Sequence, residues 1–273
     1  MPELPETETI ARDLDRELRG RRILDVAVRR ADVLREVTPQ ELRRRLRGTD
    51  VVRVWRRAKL VVLDLGNTER LVVQPRFTGA LLLSPIPPDE AQYSTLDLSL
   101  DDGRRLHYRD IRRLGTVSLM GKERFAAYTS GLGAEPLDQG FTPAHLSGIL
   151  RGSTQAVKKV LMDQRRLAGV GNIYANEACW RAGVDPSRSA DSIGADEVAA
   201  LHEGIVSVLR ESIAARGTSF RDFIDPSGSA GGFVTSLAVY GRGGQPCVRC
   251  GARLVETHAI DGRSTVLCAR CQR

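Results

Sequence analysis

Ile10, Leu14 and Leu18 recur every fourth residue, and this single apolar stripe predicts an amphipathic helix over residues 6–19. Pro5 suits its first turn, Glu6 and Glu8 suit its positive end, and Gly20 supplies the stop. From Arg22 to about Met120 the pattern turns strand-like. Residues 51–55, 60–65, 70–74, 80–83, 96–100 and 106–108 form short, β-branched or alternating runs. Gly66-Asn67, Gly79, the prolines from Pro85 to Pro88 and Asp102-Gly103 punctuate them. Short strands in series predict an antiparallel sandwich or barrel. Beyond a connector at residues 131–136 helical spacing takes over, with helices predicted over 143–151, 155–162, 173–182 and 195–216. Residues 225–232 are too small and flexible for a core and read as a linker or a mobile functional loop. Two short strands, 253–256 and 264–267, then flank Asp261-Gly262 as a hairpin.

The cysteines change this picture most. Cys247-x2-Cys250-x17-Cys268-x2-Cys271 has the spacing of a structural zinc site, offered by two tight turns. Disulfides are the alternative, and an intracellular chain disfavours them. His258 could replace a cysteine as ligand, but four cysteines already close a tetrahedral shell; Cys179 stands alone in a helical stretch and reads as core. At 273 residues the chain has room for about two domains. No apolar run approaches the ~18 residues of a membrane span, and no signal peptide is evident, so a soluble, intracellular protein is expected. A net charge of +7 and a pI near 9.5 favour a polyanionic partner. Of 41 basic residues only Lys59, Lys122, Lys158 and Lys159 are lysine, and Lys59 in Arg56-Arg57-Ala58-Lys59 stands out as a place where a guanidinium does not serve.

Removal of Met1 would expose Pro2, a secondary amine, followed at once by Glu3. Such an amine condenses with an aldehyde to a charged iminium, and with a reference pKa of roughly 7.7–8 it is partly unprotonated near neutrality. Glu3 adds a carboxyl that can move a proton, and the two groups are expected to titrate together. Further along, Gly169-Val170-Gly171 runs into Asn172 at a helix start, which offers backbone N–H groups and a positive dipole end to a phosphate.

Together these residues resemble the formamidopyrimidine-DNA glycosylase and endonuclease VIII family, most closely its formamidopyrimidine branch. The likeness spans essentially the whole chain. It covers the Met1-to-Glu6 start, Arg57-Ala58-Lys59, Asp110 to Gly115, Gly133-Ala134-Glu135-Pro136-Leu137, Gly169 to Glu177, Val239-Tyr240-Gly241-Arg242 and the four-cysteine ending. The resemblance implies an α+β molecule: an amino-terminal antiparallel β-sandwich with a leading helix, then a helix–two-turn–helix domain ending in a β-hairpin zinc finger. The boundaries expected are 1–133, 134–225 and 226–273, with DNA in the cleft between the domains.

By position, the resemblance implies that Pro2 attacks C1′ of a damaged nucleotide and Glu3 protonates the opening sugar, with Glu6 in support. Lys59 would contact the lesion strand and assist elimination. Asn172 and Arg263 would clamp phosphates at the lesion, Arg263 also helping the second elimination, and Lys158 would contact DNA. Residues 227–233 resemble a lesion-capping loop. The implied activity is a bifunctional glycosylase and lyase for 8-oxoguanine and formamidopyrimidines, with β,δ-elimination and one structural zinc as the sole cofactor. The implied partner is double-stranded DNA carrying oxidised bases or abasic sites. A monomer in a bacterial-type cytoplasm, at the nucleoid and away from membranes, is expected.

Several departures fall on the parts that hold the gap left by a flipped nucleotide and the opposite strand. Gln74-Pro75-Arg76-Phe77 replaces the common His-Leu-Gly-Met, Leu114 replaces a phenylalanine in Asp110 to Gly115, and Thr95 replaces a histidine before the strand at Leu96. Phe77, Arg112 and Leu114 are then the expected gap fillers, with Phe77 and Leu114 as ordinary sandwich core the alternative. Competing functions are a non-catalytic damage-binding protein of the same fold, an endonuclease VIII-like enzyme for oxidised pyrimidines, and a small-molecule enzyme with a proline base. The basic charge and the finger oppose the last, and intact Pro2, Glu3 and Lys59 oppose the first.

Overall fold

Helix α1 (Leu4–Leu18) begins ahead of its apolar stripe, because Glu3 and Glu6 cap it reciprocally. The computed structural model describes residues 2–273. Burial of α1 extends well past the stripe: Glu6, Thr7, Thr9 and Asp13 are enclosed along with Ile10, Leu14 and Leu18. After it come β1 (Ile23–Val28), β2 (Leu34–Arg35), α2 (Pro39–Leu46), β3 (Val51–Arg57), β4 (Leu60–Leu65), β5 (Glu69–Gln74) and β6 (Gly79–Leu83). Then follow α3 (Pro88–Ala91), β7 (Ser94–Leu100), β8 (Arg105–Asp110), β9 (Thr116–Gly121) and α4 (Lys122–Thr129).

The strands form two sheets, ordered β1-β7-β8-β6 and β2-β9-β5-β4-β3. Their pairings are antiparallel, apart from the two-residue parallel contact of β2 with β9. Leu63, Leu71 and Val73 from one sheet and Leu81, Leu96, Leu98 and Leu106 from the other belong to a single core, which α1 joins through Ile10, Leu14 and Leu18. The expected sandwich is therefore present. Its leading helix packs on β3 and β4, and Asp15 of α1 accepts a 2.7 Å bond from the Val54 backbone N–H.

The second half carries α5 (Pro143–Leu150), α6 (Val157–Met162), α7 (Asn172–Ala182) and α8 (Ala195–Ala214), then the hairpin of β10 (Val255–Thr257) and β11 (Thr265–Leu267). Helices α6 and α7, joined by turns, are the expected helix–two-turn–helix. Helix α8 stops short of residue 216 because Arg216 takes a φ of +63°, in the left-handed region.

The chain divides into two units. One is Met1–Gly131 with Ile213–Val234, the other Leu132–Ser212 with Thr235–Arg273. Residues 213–234 fold back into the sandwich unit, where Glu6 and Asp13 of α1 bind Thr218 and Arg216. Among the described residues no helix is long and apolar enough to cross a membrane.

Candidate functional site

In the sandwich unit, Pro2 is buried at the start of α1, and Glu3 is 2% exposed. The Glu6 carboxylate does two jobs there. Its Oε2 accepts from the Glu3 backbone N–H at 2.8 Å, and its Oε1 accepts from the Thr218 N–H at 2.8 Å. A capped and buried helix start is a rigid platform for the residues before it. Gly217 makes the approach possible: it takes φ +87°, and a Cβ there would lie 2.9 Å from the Phe223 ring and 3.1 Å from Glu6.

Lys59 lies on the two-residue turn Ala58-Lys59 between β3 and β4, with Ala58 at φ +52°. Arg56 fastens that turn to α1. Its Nε donates to Glu8 at 2.8 Å and its Nη1 to the Ala58 carbonyl at 3.2 Å. Pro2, Glu3, Glu6 and Lys59 thus sit on elements held to one another, the capped helix and the turn tied to it.

The gap-filling candidates occupy two loops at one end of the sheets. Phe77, between β5 and β6, is 41% exposed with φ +48°, and Leu114, between β8 and β9, is 40% exposed. Neither is core. Exposed Ile111 lies in the same loop as Leu114, and the Arg112 guanidinium stands 4.8 Å from the Phe77 ring centroid, a cation–π contact. Buried Asp110 organises both loops: its Oδ1 accepts from the Thr78 hydroxyl at 2.7 Å and its Oδ2 from the Gly115 N–H at 2.9 Å. The Thr78 hydroxyl oxygen in turn accepts from the Arg112 N–H at 3.0 Å. Burial, then the Asp110 charge, pushes the Tyr108 hydroxyl pKa up, so it stays protonated and donates to Asp110 at 3.3 Å. Gly115 is dictated by crowding, since a Cβ would lie 1.9 Å from the Tyr108 hydroxyl. Thr95, expected ahead of its strand, lies inside β7 instead, buried, with its hydroxyl donating to the Tyr108 carbonyl.

In the second unit Asn172 is the first residue of α7, as expected for a helix-start phosphate site. Its Nδ2 donates to the Ser264 carbonyl at 3.1 Å, one residue from Arg263 on the zinc hairpin. Arg263 is exposed, so the two expected clamp residues are brought together with a charged arm left to solvent. Lys158, expected at a DNA surface, is fully buried. Its ammonium donates to the Ser264 carbonyl at 2.8 Å and to the Thr265 hydroxyl at 2.7 Å, which fixes the base of the same hairpin. Asn176 completes the seam, accepting from the Val266 N–H at 2.8 Å.

Two further residues escaped the sequence reading. Glu177 accepts three backbone bonds, from Ala238, Val239 and Tyr240 at 2.8–2.9 Å, and ties α7 to the Val239-Tyr240-Gly241-Arg242 segment. Burial raises its pKa, and the three N–H groups only partly offset this. Asp225, at the stem of the 227–233 loop, is the other. Both lay inside stretches that had already drawn notice, but only the fold shows what their carboxylates hold.

The four cysteine sulfurs lie within 4.8 Å of one another. So close a group of thiolates repels itself unless a cation shares them, and an all-sulfur tetrahedral set suits zinc. Burial opposes ionisation of Cys247, but the Arg249 and Cys250 N–H groups bring its pKa down to about 6. Hydrogen bonding with Cys250 and then burial push Cys271 up to about 12, so the four thiols do not ionise together without a cation. Exposed His258 is not in the cluster. Cys179 is fully buried and pushed up to about 12 by that burial, an inert core thiol as expected.

Three family models match this chain in order. They are the formamidopyrimidine-DNA glycosylase N-terminal domain over residues 1–117, the formamidopyrimidine-DNA glycosylase H2TH domain over 132–223, and a zinc finger found in FPG and IleRS over 244–273. A formamidopyrimidine-DNA glycosylase of Roseiflexus sp. is 41% identical over the full length of both chains, and one of Laribacter hongkongensis is 42% identical over the same span. Among solved structures, MutM (Fpg) from Thermus thermophilus is 34% identical with a TM-score of 0.87, covering 99% of this chain and 98% of its own. Lactococcus lactis Fpg in complex with abasic-site DNA is 29% identical with a TM-score of 0.90, covering 99% of each chain. Fold and site define a protein of the sandwich, helix–two-turn–helix and zinc-finger class. The chain belongs to the formamidopyrimidine-DNA glycosylase family.

Proposed function

We propose that this protein is a bifunctional DNA glycosylase and abasic-site lyase that removes oxidised purines, 8-oxoguanine and formamidopyrimidines, from duplex DNA. The observation that carries the reading is the buried Glu3–Glu6–Thr218 arrangement, which holds the Pro2 end of α1 in one place. A lesion base is first drawn out of the stack, as base chemistry within a duplex requires. The Pro2 amine, exposed once Met1 is removed, attacks C1′. Glu3 protonates the sugar ring oxygen as the ring opens, the base leaves, and an iminium forms. That electron sink acidifies the C2′ proton, so the 3′ phosphate and then the 5′ phosphate depart by β- and δ-elimination.

The remaining residues position DNA. Lys59 reaches the lesion strand from its turn on the sandwich, and Asn172 and Arg263 grip phosphates from the second unit. Phe77 and Leu114 fill the vacated space while Arg112 addresses the orphaned base. Zinc holds the hairpin that carries Arg263 and takes no part in bond breaking. Support for this reading comes from the family membership, the matched residues and the exposure of Phe77, Arg112, Leu114 and Arg263.

The test compares excision from an 8-oxoguanine duplex with strand cleavage at a preformed abasic site. Glu3→Gln should slow base excision by about 100-fold or more, the scale of general acid catalysis, and slow abasic cleavage much less, because an aldehyde already exists there. Equal losses on both substrates contradict the role of Glu3. Tight binding without excision by the unaltered protein makes it a damage-binding protein.

A further inference from the structure

Arg216, like Thr218, fastens the 213–234 segment to the nucleophile's helix. Its φ of +63° turns the chain out of α8, and its guanidinium bridges two carboxylates. Nε and Nη2 donate to Asp225 Oδ2 at 3.0 and 2.5 Å, and Nη2 also donates to Asp13 of α1. The other oxygen of Asp225 builds the loop. Oδ1 accepts from the Ser227 N–H at 2.9 Å, the Ser227 hydroxyl at 2.7 Å and the Ser229 N–H at 3.0 Å. Beside it the Pro226 carbonyl accepts from the Leu83 N–H at 2.9 Å, on the sandwich. On the far flank Gly232 donates to the Ala215 carbonyl at 2.8 Å and Phe233 to that of Gly217 at 3.0 Å. Only residues 227–230 form an exposed run within this frame.

We propose that Arg216 is a positioning residue which latches the 227–233 loop to α1, so that its tip is ordered before any lesion arrives. This rests on the reading of that loop as the cap over an extruded base. Ordering the cap in advance removes an entropic cost from lesion capture and leaves chemistry at a preformed aldehyde untouched. The Asp225 side chain is 1% exposed, so its charge depends on Arg216 and the two serines. Burial works against that charge, yet the Ser227 hydroxyl and then Arg216 hold the Asp225 pKa below the usual range. The Arg216 side chain is 44% exposed beside an open depression of about 240 Å³, so the latch is reached by salt. Asp13 also pairs with Arg16, which leaves it compensated if Arg216 is replaced.

Two variants are compared with the unaltered protein: Arg216→Met, and the double replacement Arg216→Met with Asp225→Asn, which leaves no buried unpaired charge. Amide exchange of Ser227, Gly228 and Ser229 in the DNA-free protein reads the latch. It should speed up at least about tenfold in both variants, the scale of losing a charge-assisted bond, and speed up with salt in the unaltered protein alone. Excision of 8-oxoguanine relative to cleavage of a preformed abasic site reads the cap, and that ratio should fall about tenfold or more on the same scale, with abasic cleavage maintained. Unchanged exchange overturns the latch whatever the kinetics. Faster exchange with an unchanged ratio leaves the latch standing and overturns the loop's role as the cap.

Discussion

Asp97 shows how much a single buried carboxylate does away from the chemistry. It accepts from Ser94 at 2.5 Å and from Arg29 at 2.7 Å, and lies 2.7 Å from His107 Nδ1. Burial opposes its charge, but His107, Ser94 and Arg29 outweigh this and bring its pKa down from 3.8 to about 2. The resulting stability is present above pH 4 and is lost as the pH falls towards about 2, amounting to about 2 kcal/mol. Urea unfolding should therefore show Asp97→Asn less stable by roughly that amount at pH 7 and nearly level with the unaltered protein at pH 2. A gap that stays constant with pH contradicts the assignment. Phe77 makes the matching point for function. A side chain with positive φ and a stacked arginine, held in place through Thr78 and Asp110, is suited to entering a gap in DNA that otherwise costs a few kcal/mol of lost stacking. Phe77→Ala should lower excision from duplex DNA about tenfold or more while barely changing cleavage of single-stranded abasic DNA. Unchanged duplex excision by the folded variant removes the wedge.

At the scale of elements, what was legible depended on periodicity. Helix α1, the strands β3 to β8 of the sandwich and the helices of the second unit carry clear period-two or period-four patterns, and they appear with shifts of a few residues, whereas β1, β2 and β9 were not marked out. Helix α2 does not: Leu42 and Leu46 are its only buried residues, among three arginines, and it hid inside a strand-like stretch. Its capping box at Thr38 and Glu41 was the signal that could have found it. Helix α4 is held mainly by Phe125, too little to set a period. The zinc hairpin was readable because spacing alone fixes its ligands, whereas the burial of Lys158 was not, since a lysine's partners are decided by the fold. That lysine changes what zinc loss should do. Stripping the metal frees Ser264 and Thr265 and leaves a buried ammonium without those acceptors. Hydrogen exchange after chelation should show β10, β11 and the facing parts of α6 and α7 losing protection, with the sandwich strands unaffected and DNA binding lost. Arg263→Ala should weaken DNA binding with zinc still in place. Full binding by the metal-free protein contradicts the role given to the hairpin.

For the molecule as a whole, the candidate site residues are divided between two units. The sandwich unit holds Pro2, Glu3, Glu6, Lys59 and the loops that carry Phe77 and Leu114, and takes in residues 213–234 from far along the chain. The return of that segment was invisible in the pattern because it rests on particular bonds, Glu6 to Thr218 and Asp13 to Arg216, and on the single core residue Phe223, with no run of apolar residues to mark it. The second unit holds Asn172, Arg263 and the cysteines. A net charge of +7 gives DNA affinity an electrostatic basis that single catalytic substitutions leave largely intact. Binding and chemistry are thus separable by measurement. Borohydride reduction during reaction with an 8-oxoguanine duplex tests the central claim most directly, because it fixes an imine as a covalent protein–DNA adduct. The account predicts an adduct that peptide mapping places on Pro2, absent from Pro2→Gly and from protein that retains Met1, with both still binding DNA. An adduct on another residue, or normal strand cleavage by the Met1-retaining protein, would contradict it.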